Sequence, residues 1–136
     1  MKRYIFIFSF LVFIQSLFAQ QVTSYREAIL QKTGYTITGK AFLELYDNGK
    51  LKLRLDEEFN TERGPDVQIF LSNSTSITDG IMIANLGYSG GIDHFDGAIT
   101  FDITEIDIST YSKIIFHCVA FNAPWAIGEF NSTITP

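Results

Sequence analysis

The 136-residue chain holds one cysteine, two histidines and one tryptophan. A single cysteine excludes an intramolecular disulfide framework, so the hydrophobic core must supply the stability. That cysteine is Cys118, far from the N-terminus, which excludes a lipobox and an N-terminal lipid anchor. Basic side chains are also scarce: 10 Lys and Arg stand against 15 Asp and Glu, a formal charge of −5. An acidic surface argues against nucleic acid and against anionic membrane surfaces as partners. The chain has no phosphate-binding loop and no dinucleotide fingerprint. Neither His94 nor His117 sits in a nucleophile motif, so no Ser-His-Asp grouping can be argued. Internal repeats, low-complexity segments and linkers are absent too.

What is present begins with an export-type leader. Lys2 and Arg3 precede a nearly unbroken apolar run from Tyr4 to Ile14, and Ala19 stands at the expected cleavage point before Gln20. Residues 1–19 therefore read as a signal peptide, and the mature protein is expected to be secreted or to reside in the periplasm or cell envelope. The run is short for a membrane span and is followed by Gln15 and Ser16. The expectation is no integral span after cleavage; an uncleaved N-terminal anchor is the other reading. Removing 1–19 leaves 117 residues, 8 basic against 15 acidic, enough for one domain with one core. The Asn-x-Ser/Thr sites at Asn73 and Asn131 matter only in a glycosylating host.

Residues 20–38 are read as an N-terminal segment with a short helix, because Ser24-Tyr25-Arg26-Glu27 has capping-box spacing ahead of Ala28, Ile29 and Leu30, and Gly34 would end it. The remainder, 39–136, reads as strands and turns. Ala41 to Tyr46, the turn Asp47-Asn48-Gly49 and the strictly alternating Lys50 to Leu55 make a hairpin. Further strands are expected at Val67 to Leu71, Ile81 to Leu86, Ile99 to Ile103, Lys113 to Phe121 and Ala126 to Phe130. Short strands at regular spacing indicate an all-β fold, an antiparallel β-sandwich or flattened barrel.

Three blocks resemble the DM-thirteen (electron-transfer) domain family. The first runs from Gly39 to Ser72 and includes Leu53-Arg54-Leu55 and Gly64-Pro65-Asp66. The second is Ala84-Asn85-Leu86-Gly87 with Gly97 to Ile103. The third is Tyr111 to Cys118 with Phe121. Together they span residues 39–130. The resemblance implies a single-cysteine β-sandwich of extracellular and envelope proteins, with a proposed redox role resting on the cysteine. The chain departs from the family pattern in having His117 where Tyr or Trp usually precedes the cysteine, Thr104 in place of a frequent proline, and Asn122 where a histidine commonly follows.

Cys118 is the candidate redox group or cofactor ligand, the cofactor itself being unknown. Strand alternation sets against this a second reading. Ile114, Phe116, Cys118 and Ala120 would share one apolar face and Ile115, His117, Val119 and Phe121 the other, which makes the thiol a small core hydrophobe. A Cys118–His117 pair would require a bulge, and His117 is expected to be partly exposed on the second face. His94, flanked by Asp93 and Asp96, could contribute to a metal site but also suits a solvated loop. Asp56, Glu57, Glu58, Glu62 and Asp66 offer carboxylates of the kind calcium takes, without EF-hand spacing; a solvated loop is the simpler reading, and no metal site is assigned. Trp125 is either a stacking platform or a cap on the core. The sequence points away from an enzyme and leaves two functions: a redox or electron-transfer accessory of the envelope acting through Cys118, or a non-catalytic extracellular binding or structural module with Cys118 buried. Both admit an envelope or extracellular protein partner.

Overall fold

The computed structural model describes residues 19–136; the signal-peptide assignment falls almost wholly outside them. Eleven strands follow in order: β1 (Val22–Ile29), β2 (Gln31–Lys32), β3 (Ile37–Thr38), β4 (Lys40–Tyr46), β5 (Leu51–Leu55), β6 (Asn60–Thr61), β7 (Val67–Ser72), β8 (Ile81–Asn85), β9 (Ile99–Ile103), β10 (Lys113–Cys118) and β11 (Ala123–Glu129). They form a four-stranded sheet ordered β1-β4-β5-β9, a five-stranded sheet ordered β2-β11-β10-β7-β8, and the small pair β3-β6. Every pairing is antiparallel. The two larger sheets pack in a sandwich, as the alternation and turn spacing anticipate.

The β4–β5 hairpin shows how local sequence sets register. Gly49, at φ +80°, completes the turn, its N–H donating to the Tyr46 carbonyl at 2.9 Å. Leu43 then faces Leu53, and Ala41 faces Leu55. Leu51, Leu53 and Leu55 are buried while Lys52 and Arg54 lie half-buried on the other face. From the second sheet Ile69, Leu71, Ile114, Phe116 and Cys118 join the same buried cluster.

The expected N-terminal helix is not formed: residues 22–29 are β1, paired with β4 from Val22↔Tyr46 to Ile29↔Lys40. Val22, Thr23 and Tyr25 favour the extended state, and a capping box is worth only about 1 kcal/mol. A ladder along β4 that also buries Ala28 outweighs it. The first element therefore belongs to the sandwich. The only helical pieces among the described residues are 3-10 turns at Ile77–Asp79 and Val119–Phe121.

β1 also carries a buried arginine. The Arg26 side chain donates from Nε to the Asn131 carbonyl at 2.8 Å. From Nη1 it reaches the carbonyls of Tyr111 at 2.7 Å and Ile108 at 3.1 Å, and from Nη2 that of Phe130 at 3.4 Å. It makes no ion pair among the described residues, and burial lowers its pKa from the ordinary arginine value. Carbonyl dipoles thus replace a counter-ion, and one side chain ties β1 to the 108–111 turn and to the chain beyond β11. Arg26→Met keeps the stem and removes the donors, leaving those carbonyls short of partners. Urea unfolding should show a loss of about 2–4 kcal/mol; a loss under about 0.5 kcal/mol would mean that water replaces the guanidinium without cost.

Candidate functional site

Cys118 is the last residue of β10, a central strand between β7 and β11. Its register with β7 is unbroken, from Lys113↔Ser72 to Cys118↔Val67. The register with β11 shifts between Phe116 and His117, so that Trp125 is an extra residue on β11. A bulge is therefore present, but on the neighbouring strand, and β10 keeps its alternation. Cys118 points into the core, 1% exposed, with Ile114 and Phe116, while Ile115 and His117 lie on the opposite face. No direct Cys118–His117 pair exists.

The strand stops earlier than the expected 113–121. Val119, Ala120 and Phe121 form a 3-10 turn closed by Asn122 in the left-handed region at φ +46°. Ala120 therefore leaves the Cys118 face and is exposed, as are Val119 and Phe121, the latter 72%. The turn is anchored by the Val119 N–H, which donates to the Asp66 carbonyl at 3.0 Å. The Gly64-Pro65-Asp66 block and the cysteine block thus meet in space. The Asp66 carboxylate accepts from Gln68 Nε2 at 2.7 Å and Asn85 Nδ2 at 3.0 Å, which ties the 64–66 turn to β7 and β8. Gly64 packs beneath Trp125: a Cβ there would lie 2.8 Å from Trp125 Cη2 and from Val67 Cγ2.

Trp125 caps the core. The bulge turns it inward, where it is buried, donates from Nε1 to Thr61 Oγ1 at 2.9 Å and stacks on Tyr35 with ring centroids 3.7 Å apart. A surface stacking platform is ruled out for it.

The other candidates are dispersed. His94 donates from Nε2 to the Gly97 carbonyl at 2.9 Å and lies parallel to Phe59, which fixes its loop against the core. Asp93 pairs with Arg63, and Asp96 accepts from Asn60, so the three do not converge. In the acidic loop Asp56 accepts the Lys40 N–H at 3.1 Å and Glu62 the Thr36 N–H at 2.7 Å, while Glu57 and Glu58 are exposed. Asp56 and Glu62 are thus committed to backbone amides, and no group of three potential metal ligands forms among the described residues.

His117 is more deeply placed than the sequence suggests: 9% exposed, with Nε2 donating to Asn122 Oδ1 at 3.1 Å. His117 and Asn122, five residues apart in sequence, are therefore partners. His117 also lines a groove of about 470 Å³ on the outer face of the five-stranded sheet, together with Ile115, Ile127, Pro124, Asn122 and the Thr75–Thr78 segment. The groove escaped sequence reasoning because Thr75–Thr78 and Pro124 meet β10 only after folding; the alternation of Ile115 and His117 was its one legible trace. One spacing was also overlooked: Gly87-Tyr88-Ser89-Gly90-Gly91 reads Gly-x-Ser-x-Gly. It lies in the loop after β8 with no helix following, and the Ser89 N–H donates to the Pro65 carbonyl at 2.9 Å. A nucleophile elbow needs a strand-to-helix turn, so this segment is an ordinary loop.

Comparison with family models, with curated proteins and with solved structures returns no match to this chain. Among the described residues no helix is long and apolar enough to cross a membrane.

Cys118→Ser places a hydroxyl in an apolar slot. It should cost about 1–3 kcal/mol in chemical denaturation, with Cys118→Ala losing a comparable amount through the void it leaves. An unchanged stability for the serine variant would show that the site is wet.

Proposed function

We propose that this chain is an exported, non-catalytic β-sandwich module that works by binding, with Cys118 serving as a core residue. The observation that carries the reading is the burial of Cys118 at the closed end of β10, 1% exposed and on the same face as Ile114 and Phe116. A thiol that takes part in exchange or electron transfer has to reach a partner or a cofactor, and this one is packed among core residues. The groove beside His117 supplies a concave surface of the size small ligands use. Export rests on Lys2, Arg3, the Tyr4–Ile14 run and Ala19.

A second reading is a redox accessory of the cell envelope acting through Cys118. It draws on the resemblance of the Gly39–Ser72 and Tyr111–Cys118 blocks to the DM-thirteen family and on the unpaired thiol. One experiment separates the two. The signal-free protein is treated with a chromogenic thiol reagent, with and without denaturant, and its visible spectrum is recorded. The binding reading expects Cys118 to label only once the protein is unfolded, with no absorption band above the protein's own. Prompt labelling of the native protein, or a chromophore that is lost in Cys118→Ala, overturns it in favour of the redox reading.

A further inference from the structure

The groove on the outer face of β10 and β11 has one property that sets it apart from the rest of this acidic protein: no Asp, Glu, Lys or Arg lines it. Its apolar surface comes from Ile115, Ile127, Pro124 and Ile77, and its polar groups are hydroxyls and amides of Thr33, Thr75, Ser76, Thr78 and Asn122. Ser76 and Thr78 are already engaged, their hydroxyl oxygens 2.7 Å apart and Ser76 Oγ accepting the Thr78 N–H at 3.2 Å. Thr33, Thr75 and the Asn122 amide are exposed, and the most deeply placed unspent polar group is on His117. Nε2 donates to Asn122, so the neutral ring offers Nδ1 as an acceptor, and Nδ1 has no protein partner among the described residues. No buried side-chain nitrogen or oxygen among them lacks a partner, so Nδ1 is not sealed in protein. The side chain is 9% exposed and forms part of the groove's lining.

We infer that this groove is a binding site for a small uncharged ligand, largely aliphatic, carrying one hydroxyl or N–H that donates to His117 Nδ1. An ionised ligand would exchange its hydration for a surface without a counter-charge, which is unfavourable. An uncharged donor satisfies the ring nitrogen while its hydrocarbon covers the isoleucines. The inference rests on the binding reading and names the ligand class for it. It stands or falls separately: native labelling of Cys118 would defeat the reading, whereas failure of the groove to bind, with Cys118 protected, defeats only the inference.

The test is a titration of the folded protein at about pH 8, followed through the isoleucine methyl resonances. The probes share one chain length: 1-octanol, octanoate, octylammonium and methyl octyl ether. Octanol should shift the methyls of Ile77, Ile115 and Ile127 saturably, at about millimolar concentration or below. Octanoate and octylammonium should bind at least about tenfold more weakly, and the ether, which cannot donate, about three- to tenfold more weakly. His117→Leu should erase the difference between octanol and ether. Ile127→Glu, a substitution at a half-buried position that the fold tolerates more readily, should abolish octanol binding and favour octylammonium. Absence of saturable shifts up to the solubility limit of octanol, equal binding of the ions, or equal binding of the ether would overturn the proposal.

Discussion

The contact between the inner faces of two antiparallel sheets is the interaction on which the remaining structure depends. With one cysteine there is no covalent brace, and each inward residue must fit against the opposite sheet. Leu43, Leu53 and Leu55 come from one sheet, and Ile69, Leu71, Ile114, Phe116 and Cys118 from the other. Close packing of this kind leaves little tolerance for a polar or mobile group. The thiol meets the requirement because it is small and weakly polar. Its chemistry is therefore constrained by its neighbours on β10, and the exposed turn that follows belongs to a different environment altogether.

Polar groups close the sandwich where apolar contact runs out. Arg26 gathers carbonyls from the 108–111 turn and from the chain after β11. Near Cys118, the Asp66 carboxylate holds Gln68 and Asn85 while its carbonyl holds Val119. The bulge at Trp125 serves both faces: it turns the indole inward onto Thr61 and leaves β10 regular, which separates Cys118 inside from His117 outside. One strand thus carries the buried thiol on its core face and His117, which lines the groove, on its outer face.

The parts of this architecture governed by strict alternation were legible in the sequence. Leu51, Leu53 and Leu55, and Ile114, Phe116 and Cys118, fall on the faces that period two assigns, and Asp47-Asn48-Gly49 turns where glycine allows it. What failed to be legible depends on partners remote in sequence. The Ser24–Glu27 spacing promised a helix, but the ladder to Lys40–Tyr46 decided the outcome. The burial of Arg26 left no trace in the local sequence, since its acceptors lie more than 80 residues away. β10 ends at Cys118, rather than at Phe121, where the 3-10 turn closed by Asn122 begins, and the Val119 N–H of that turn bonds to Asp66 in a distant block. The groove was hidden for the same reason.

The central claim is that Cys118 belongs to the cooperative core and is covered as firmly as the rest of it. Native-state hydrogen exchange on the backbone amides of Phe116, His117 and Cys118, measured across a series of sub-denaturing urea concentrations, tests this most directly. The account predicts exchange through global unfolding, with the same free energy and urea dependence as the amides of Leu53 and Ile69. Exchange at Cys118 through a low-energy opening that is insensitive to urea would contradict it, because the end of the sandwich would then open on its own and bring the thiol into reach.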